Sequence, residues 1–127
     1  MPIREDNLVL IKSKDFALRI VKFYQYLTSP QNPKRELILS KQVLRSGTSI
    51  GANLREARRA QSTADFLAKA YISLKEADET SYWLELLLGG EYISNEMFNS
   101  MYNDCEELIK LLTTIIKTTQ SKQSSRS

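Results

Sequence analysis

Residues 62–90 read STADFLAKAYISLKEADETSYWLELLLGG. At about 100° per residue, Leu67, Ala70, Leu74, Ala77, Ser81, Leu84 and Leu88 fall on one side of a helix. Gly89 and Gly90 close the segment, because glycine most readily takes the left-handed conformation at a helix C-terminus. Ser62 supplies an N-cap, and Asp65 three residues on can reach back to complete a capping box. The stretch therefore predicts a helix of about seven turns, Thr63 to Leu88, with a continuous seam.

The same period extends in both directions. Upstream, residues 34–61 place Leu39, Val43, Gly47, Ile50, Leu54 and Ala57 on one side. Neither glycine nor proline separates this helix from the next, so the two could be partly continuous. Thr28-Ser29-Pro30-Gln31-Asn32-Pro33 ends a first helix of about Asn7 to Leu27, since proline breaks the hydrogen-bond ladder. That first helix places Leu10, Ala17, Ile20, Tyr24 and Leu27 on one face. Downstream, Ser94 caps a fourth helix with Glu96 in its first turn. Its stripe is Met97, Met101, Cys105, Leu108, Leu112 and Ile115. Residues 120–127 hold no apolar side chain and are expected to be a disordered tail. Short connections make consecutive helices antiparallel neighbours, which predicts an all-α, up-down-up-down four-helix bundle over residues 1–119.

The 127 residues are 42% hydrophobic and 26% charged, and no segment approaches the roughly 20 apolar residues of a membrane span. Residues 1–6 lack a signal-peptide core, and Cys105 is the lone cysteine, so a cytoplasmic, reducing location is expected. There is no histidine, which removes histidine-based triads and the Glu-x-x-His ligands of di-iron bundles. Cys105 sits on an apolar stripe, where a buried thiol is inert. The carboxylates Glu76, Asp78, Glu79, Glu106 and Glu107 lie off the seams and read as solvated faces. No catalytic residue, metal ligand, cofactor or small-molecule substrate is assigned.

Net charge is only +3, but residues 1–63 hold twelve Lys/Arg against five Asp/Glu, and residues 64–127 hold six against ten. Two readings follow: a basic half pairing with an acidic half inside one molecule, or a basic face open to a polyanion. On the second helix, Lys34, Lys41, Arg45, Arg55 and Arg59 fall within about 60° of one another, opposite the core face, with Arg58 flanking them. These six are the candidate nucleic-acid contacts, although a merely solvated helix face would look the same. No aromatic residue interleaves them, so base reading is not implied.

Gly47 and Gly51 lack the context of a phosphate loop. Two glycines within a helix cost about 1 kcal/mol each, which points to close approach of a neighbouring helix or subunit. Residues 82–88 carry one charge, Glu85, and a helix apolar nearly all round needs cover all round. Tyr82, Trp83, Leu86 and Leu87, with Gly47 and Gly51, are thus candidate oligomer contacts; the alternative is that Trp83 and Leu87 are covered within one subunit.

Ala17 to Lys22, Ser40 to Asn53, and Ser73 to Thr80 followed by Tyr82-Trp83-Leu84 resemble a bacterial family of four-helix bundles. The family is named for proteins encoded in intervening sequences of 23S ribosomal RNA genes, and the likeness covers residues 8–119. The run Arg45-Ser46-Gly47-Thr48-Ser49-Ile50-Gly51-Ala52-Asn53 is its most specific part. The resemblance implies a homopentameric ring and no known enzymatic activity. It also implies kinship with accessory bundle proteins of diversity-generating retroelements, which bind nucleic acid through a basic surface. The expected function is a non-enzymatic oligomeric protein associated with RNA or DNA; the alternative is a protein–protein adaptor.

Overall fold

A computed structural model describes residues 4–125, with side chains from Asn7 to Ser124. Its helices are α1 (Arg4–Thr28), α2 (Leu39–Ala57), α3 (Thr63–Gly89) and α4 (Asn95–Ser125). Each packs against its sequence neighbours, α1 also meets α4, and the backbones of α1 and α3, and of α2 and α4, do not approach closely among the described residues. The helices thus run antiparallel around a square, with α1 and α3 on one diagonal.

Three boundaries differ from the sequence expectation. Helix α2 starts at Leu39 rather than Lys34 because Glu36 takes over its N-terminus. The Glu36 carboxylate is buried and accepts the N–H groups of Ile38, Leu39 and Ser40 at 3.1, 3.0 and 2.6 Å. Those donors have no carbonyl one turn back, so the acid supplies what the chain cannot. Residues 34–36 are pinned elsewhere, with Arg35 Nε donating to the Thr28 carbonyl and the Glu36 N–H to that of Leu27. Second, α2 ends at Ala57 instead of Gln61, tightening into short-range turns as Arg59 and Ala60 donate to Glu56 and Ala57. The α2–α3 break is therefore real: Ser62 Oγ accepts from Asp65 N at 3.0 Å, and Asp65 reaches back to Gln61 N. Third, α4 continues to Ser125, through most of the segment expected to be a disordered tail; Arg126 and Ser127 lie outside the described residues.

The left-handed residue after α3 is Glu91 (φ 65), whereas Gly90 has φ −81. Gly90 is needed for space: a Cβ there would meet the Tyr92 ring at 3.1 Å.

The core unites Ile20, Leu27, Val43, Ile50, Leu84, Leu87, Leu108 and Leu112, all essentially inaccessible. On α1 the buried seam is Val9, Ser13, Phe16, Ile20, Phe23 and Leu27. Leu10, Ala17 and Tyr24 are half-buried flanks, so α1 is turned slightly from its expected face. Apolar residues on both sides of α1 allow two solutions, and packing against α2 selects one. The α2–α3 seam is polar and close: Thr80 Oγ1 donates to Ser46 Oγ and Ser73 Oγ to the Ile50 carbonyl, each at 2.8 Å.

Candidate nucleic-acid interface

The shortened α2 dismantles the expected five-cation stripe. Lys34 lies in the α1–α2 connection, where its Nζ donates to the Glu91 carbonyl at 2.9 Å, at the opposite end of the bundle from Arg58 and Arg59. Arg45 reaches across to α3, where it pairs with Glu76 at 3.2 Å and with Glu79. Its pKa is raised, first by the hydrogen bond to Glu76, so this guanidinium is committed to internal carboxylates. Lys12–Glu107 and Arg19–Asp104 do the same between α1 and α4. The pairing of a basic half with an acidic half inside one molecule accounts for these cations.

Lys41, Arg55, Arg58 and Arg59 are different. All four are exposed, and none forms an ion pair with a described residue. Lys41 stands about 21 Å along the helix from Arg55, at 1.5 Å per residue, with neutralised Arg45 between them. The three arginines cluster where α2 stops and the chain turns into α3.

Antiparallel topology brings the C-terminus of α4 to that same end. Gln120 Nε2 on α4 donates to the Tyr71 hydroxyl near the start of α3, and Lys69 bridges Glu56 and Asp65 beside it. In residues 54–69 and 117–124 there are six cations and two carboxylates; in residues 29–38 and 85–96, at the other end, there are two and four. Two helix N-termini and two C-termini meet at each end, so backbone dipoles largely cancel and side chains set the potential. Charge is therefore polarised along the bundle axis, not only between halves of the chain. Lys122 was missed in the sequence because it fell in the expected tail, and Lys117 because the fourth helix was read only for its apolar stripe. The polar helical period of Lys117, Gln120, Ser121 and Ser124, which share one face, is the signal that would have found Lys117.

The candidate oligomer contacts divide. Gly47 is buried against Ile20, where an added Cβ would come within 2.7 Å, and Gly51 faces Ser13. Both glycines serve α1–α2 packing within one chain. Leu87 is fully buried in the core, so no partner can reach it. Trp83 is partly covered, donating to Glu79 at 3.3 Å, while Tyr82 and Leu86 stay exposed. The sequence reading overlooked Ile11 and Leu18 of α1, which are 61% and 55% exposed.

No catalytic centre is assembled among these groups. Cys105 is wholly buried, its thiol donates to the Ala77 carbonyl, and burial pushes its pKa up to about 12. Among the described residues no three metal-ligating side chains converge, and no helix is long and apolar enough to cross a membrane.

These features define a small all-α bundle with a cationic end. The chain belongs to the 23S rRNA-intervening sequence protein family, whose profile matches residues 5–114. It is similar to the crystal structure of a protein of unknown function from the S23 ribosomal protein family of Bacteroides thetaiotaomicron. That likeness has 57% identity and a TM-score of 0.85, over 89% of this chain and 98% of the other. No protein with a curated description matches the chain.

Proposed function

We propose that this bundle is a non-enzymatic, homo-oligomeric protein that associates with nucleic acid, RNA or DNA, through its basic surface. The observation that carries the reading is the cluster of Arg55, Arg58 and Arg59, exposed and without a carboxylate partner among the described residues. Cations with internal partners contribute little to a polyanion, because the carboxylate competes for the same donors. Unpaired arginines can each neutralise a phosphate and release its counterion. With no aromatic side chain among them, they favour backbone contact over base reading. Binding of a mixed-sequence RNA duplex, measured from 50 to 200 mM salt, tests this. Log K should fall linearly with log salt, and replacing the three arginines by glutamine should flatten the slope by about 2 to 3. A salt-independent wild type, or an unchanged slope in the triple variant, refutes it.

Self-association is favoured by a separate observation. Exposed Ile11 and Leu18 on α1, and Tyr82 and Leu86 on α3, face away from the core on opposite corners of the square. Lys14, Asp15 and Lys22 flank the first pair; Lys75, Asp78 and Glu85 flank the second. Two cations and one acid against one cation and two acids are complementary, which favours α1 of one copy on α3 of the next over pairing of like faces.

A further inference from the structure

We infer that the nucleic-acid backbone lies on the face shared by α1 and α2, where Lys14 of α1 joins Arg55, Arg58 and Arg59 as a fourth phosphate contact. This rests on the nucleic-acid reading above and specifies the surface it uses. The register of the two helices is fixed by their glycine contacts, Gly51 against Ser13 and Gly47 against Ile20. Antiparallel packing therefore puts Lys14 beside Gly51, one turn of α2 away from Arg55. The half-buried side chains show where each helix borders the other: Leu10 and Ala17 on α1, and Leu44, Thr48 and Gly51 on α2. Lys14 stands four residues after Leu10 and three before Ala17, and Arg55 stands four after Gly51, so both belong to this border. Arg58 is the C-cap of α2, and Arg59 follows it. All four cations are exposed, and none forms an ion pair with a described residue.

The neighbouring carboxylates of the described residues are turned elsewhere. Glu56 lies about 100° round the helix from Arg55 and meets Lys69 of α3. Asp15 lies the same angle from Lys14, towards the side on which Lys12 and Arg19 pair with α4. Arg45 also leaves this face, because Glu76 and Glu79 hold it on the α3 side of α2. Lys14 thus extends the arginine cluster at a level where α2 has no free cation of its own. Arg59 is eight positions past Gly51, a rise of about 12 Å at 1.5 Å per residue. At about 3.4 Å per phosphate along one strand, that span covers about four phosphates, one for each cation. Ala17 and Gly51 lie between the charged rims with one side-chain carbon and none, so a backbone can come close to both helices. Lys14 is on the α2 side of Ile11 and Leu18, with Asp15 and Lys22 on the α4 side. A second copy seated on that apolar pair therefore leaves Lys14 at its edge.

The full chain is titrated with a mixed-sequence RNA duplex, a DNA duplex and an RNA single strand, each between 50 and 200 mM salt, with helicity checked by circular dichroism. Lys14→Gln should lower the slope by about 1, so that the affinity ratio between the two salt concentrations shrinks about three- to fourfold. Lys110→Gln removes the same charge from an exposed site on α4 and should leave the slope unchanged, as should Lys41→Gln. Each variant is also titrated in a Tyr82→Glu, Leu86→Glu background, so that a change of assembly is not read as a lost phosphate contact. If Lys14→Gln keeps the wild-type slope while the triple arginine variant lowers it, the α1–α2 face is wrong and nucleic-acid binding stands. An equal loss in Lys110→Gln would reduce the effect to net charge and overturn the assignment as well. If no probe binds with salt dependence, both readings fall. The three probes report which backbone the face accepts.

Discussion

The same substitution at two glycines one turn apart should have opposite effects. In Gly47→Ala the new Cβ would lie 2.7, 2.9 and 3.0 Å from Ile20 Cγ1, Cδ1 and Cγ2. Ile20 is wholly buried, and two of these atoms are bonded directly to its Cβ. They can retreat only by turning χ1, which a helix restricts to one well for a β-branched side chain. Overpacking of this kind costs about 1–3 kcal/mol, against about 1 kcal/mol of regained helix propensity. The expected net loss is about 1 kcal/mol. In Gly51→Ala the nearest atom is Ser13 Oγ at 3.3 Å, the tip of a small side chain that need yield only slightly. Most of the propensity gain survives, so the variant should be neutral or more stable by about 0.5 kcal/mol. Urea unfolding followed by circular dichroism measures both, and an unchanged m-value confirms that stability itself moved. Because the clash is within one chain, the difference should not depend on protein concentration. Ile20→Val, which removes the Cδ1 contact, should cost less in the Gly47→Ala background than alone. A Gly47→Ala protein as stable as the wild type would refute the packing argument.

Other expectations follow from the same geometry. Glu36→Ala leaves three N–H groups at the start of α2 without their acceptor and should cost about 2 kcal/mol in urea unfolding, with Glu36→Gln intermediate. Cys105 should not react with an aromatic disulfide reagent at pH 8 until the protein unfolds. Its thiol holds its proton more tightly folded than unfolded, so that contribution is intact below about pH 9 and lost as pH rises towards 12. Cys105→Ser should therefore show a shallower decline in thermal midpoint over that range. For self-association, Ile11→Glu with Leu18→Glu, and Tyr82→Glu with Leu86→Glu, should each give a monomer by light scattering. An equimolar mixture should stop at a one-to-one dimer, because one intact face of each kind remains; monomers in the mixture would exclude pairing of α1 with α3.

The seams of α2 and α4 were legible in the chain because burial on one side of a helix imposes a period of 3.6, and the caps at Ser62 and Ser94 marked two starts; α3 buries Ser73, Thr80 and Leu87 beside its expected seam and leaves Leu67, Leu74 and Leu88 half-buried. Four amphipathic segments with short connections and no histidine were enough to determine an all-α antiparallel bundle without a histidine-based site. Whether Arg45 was free, which way α1 faced, and whether Leu87 was inside or outside were decided only by the packed structure. Each depends on what a helix elsewhere in the chain brings within a few ångströms: Glu76 for Arg45, Gly47 for Ile20, the α3–α4 core for Leu87. The cationic end arises the same way, from α2 and α4 finishing on one side because the chain reverses at every turn. Local period reports which side of a helix is apolar, whereas charge partners and helix ends are set by distances between residues far apart in sequence.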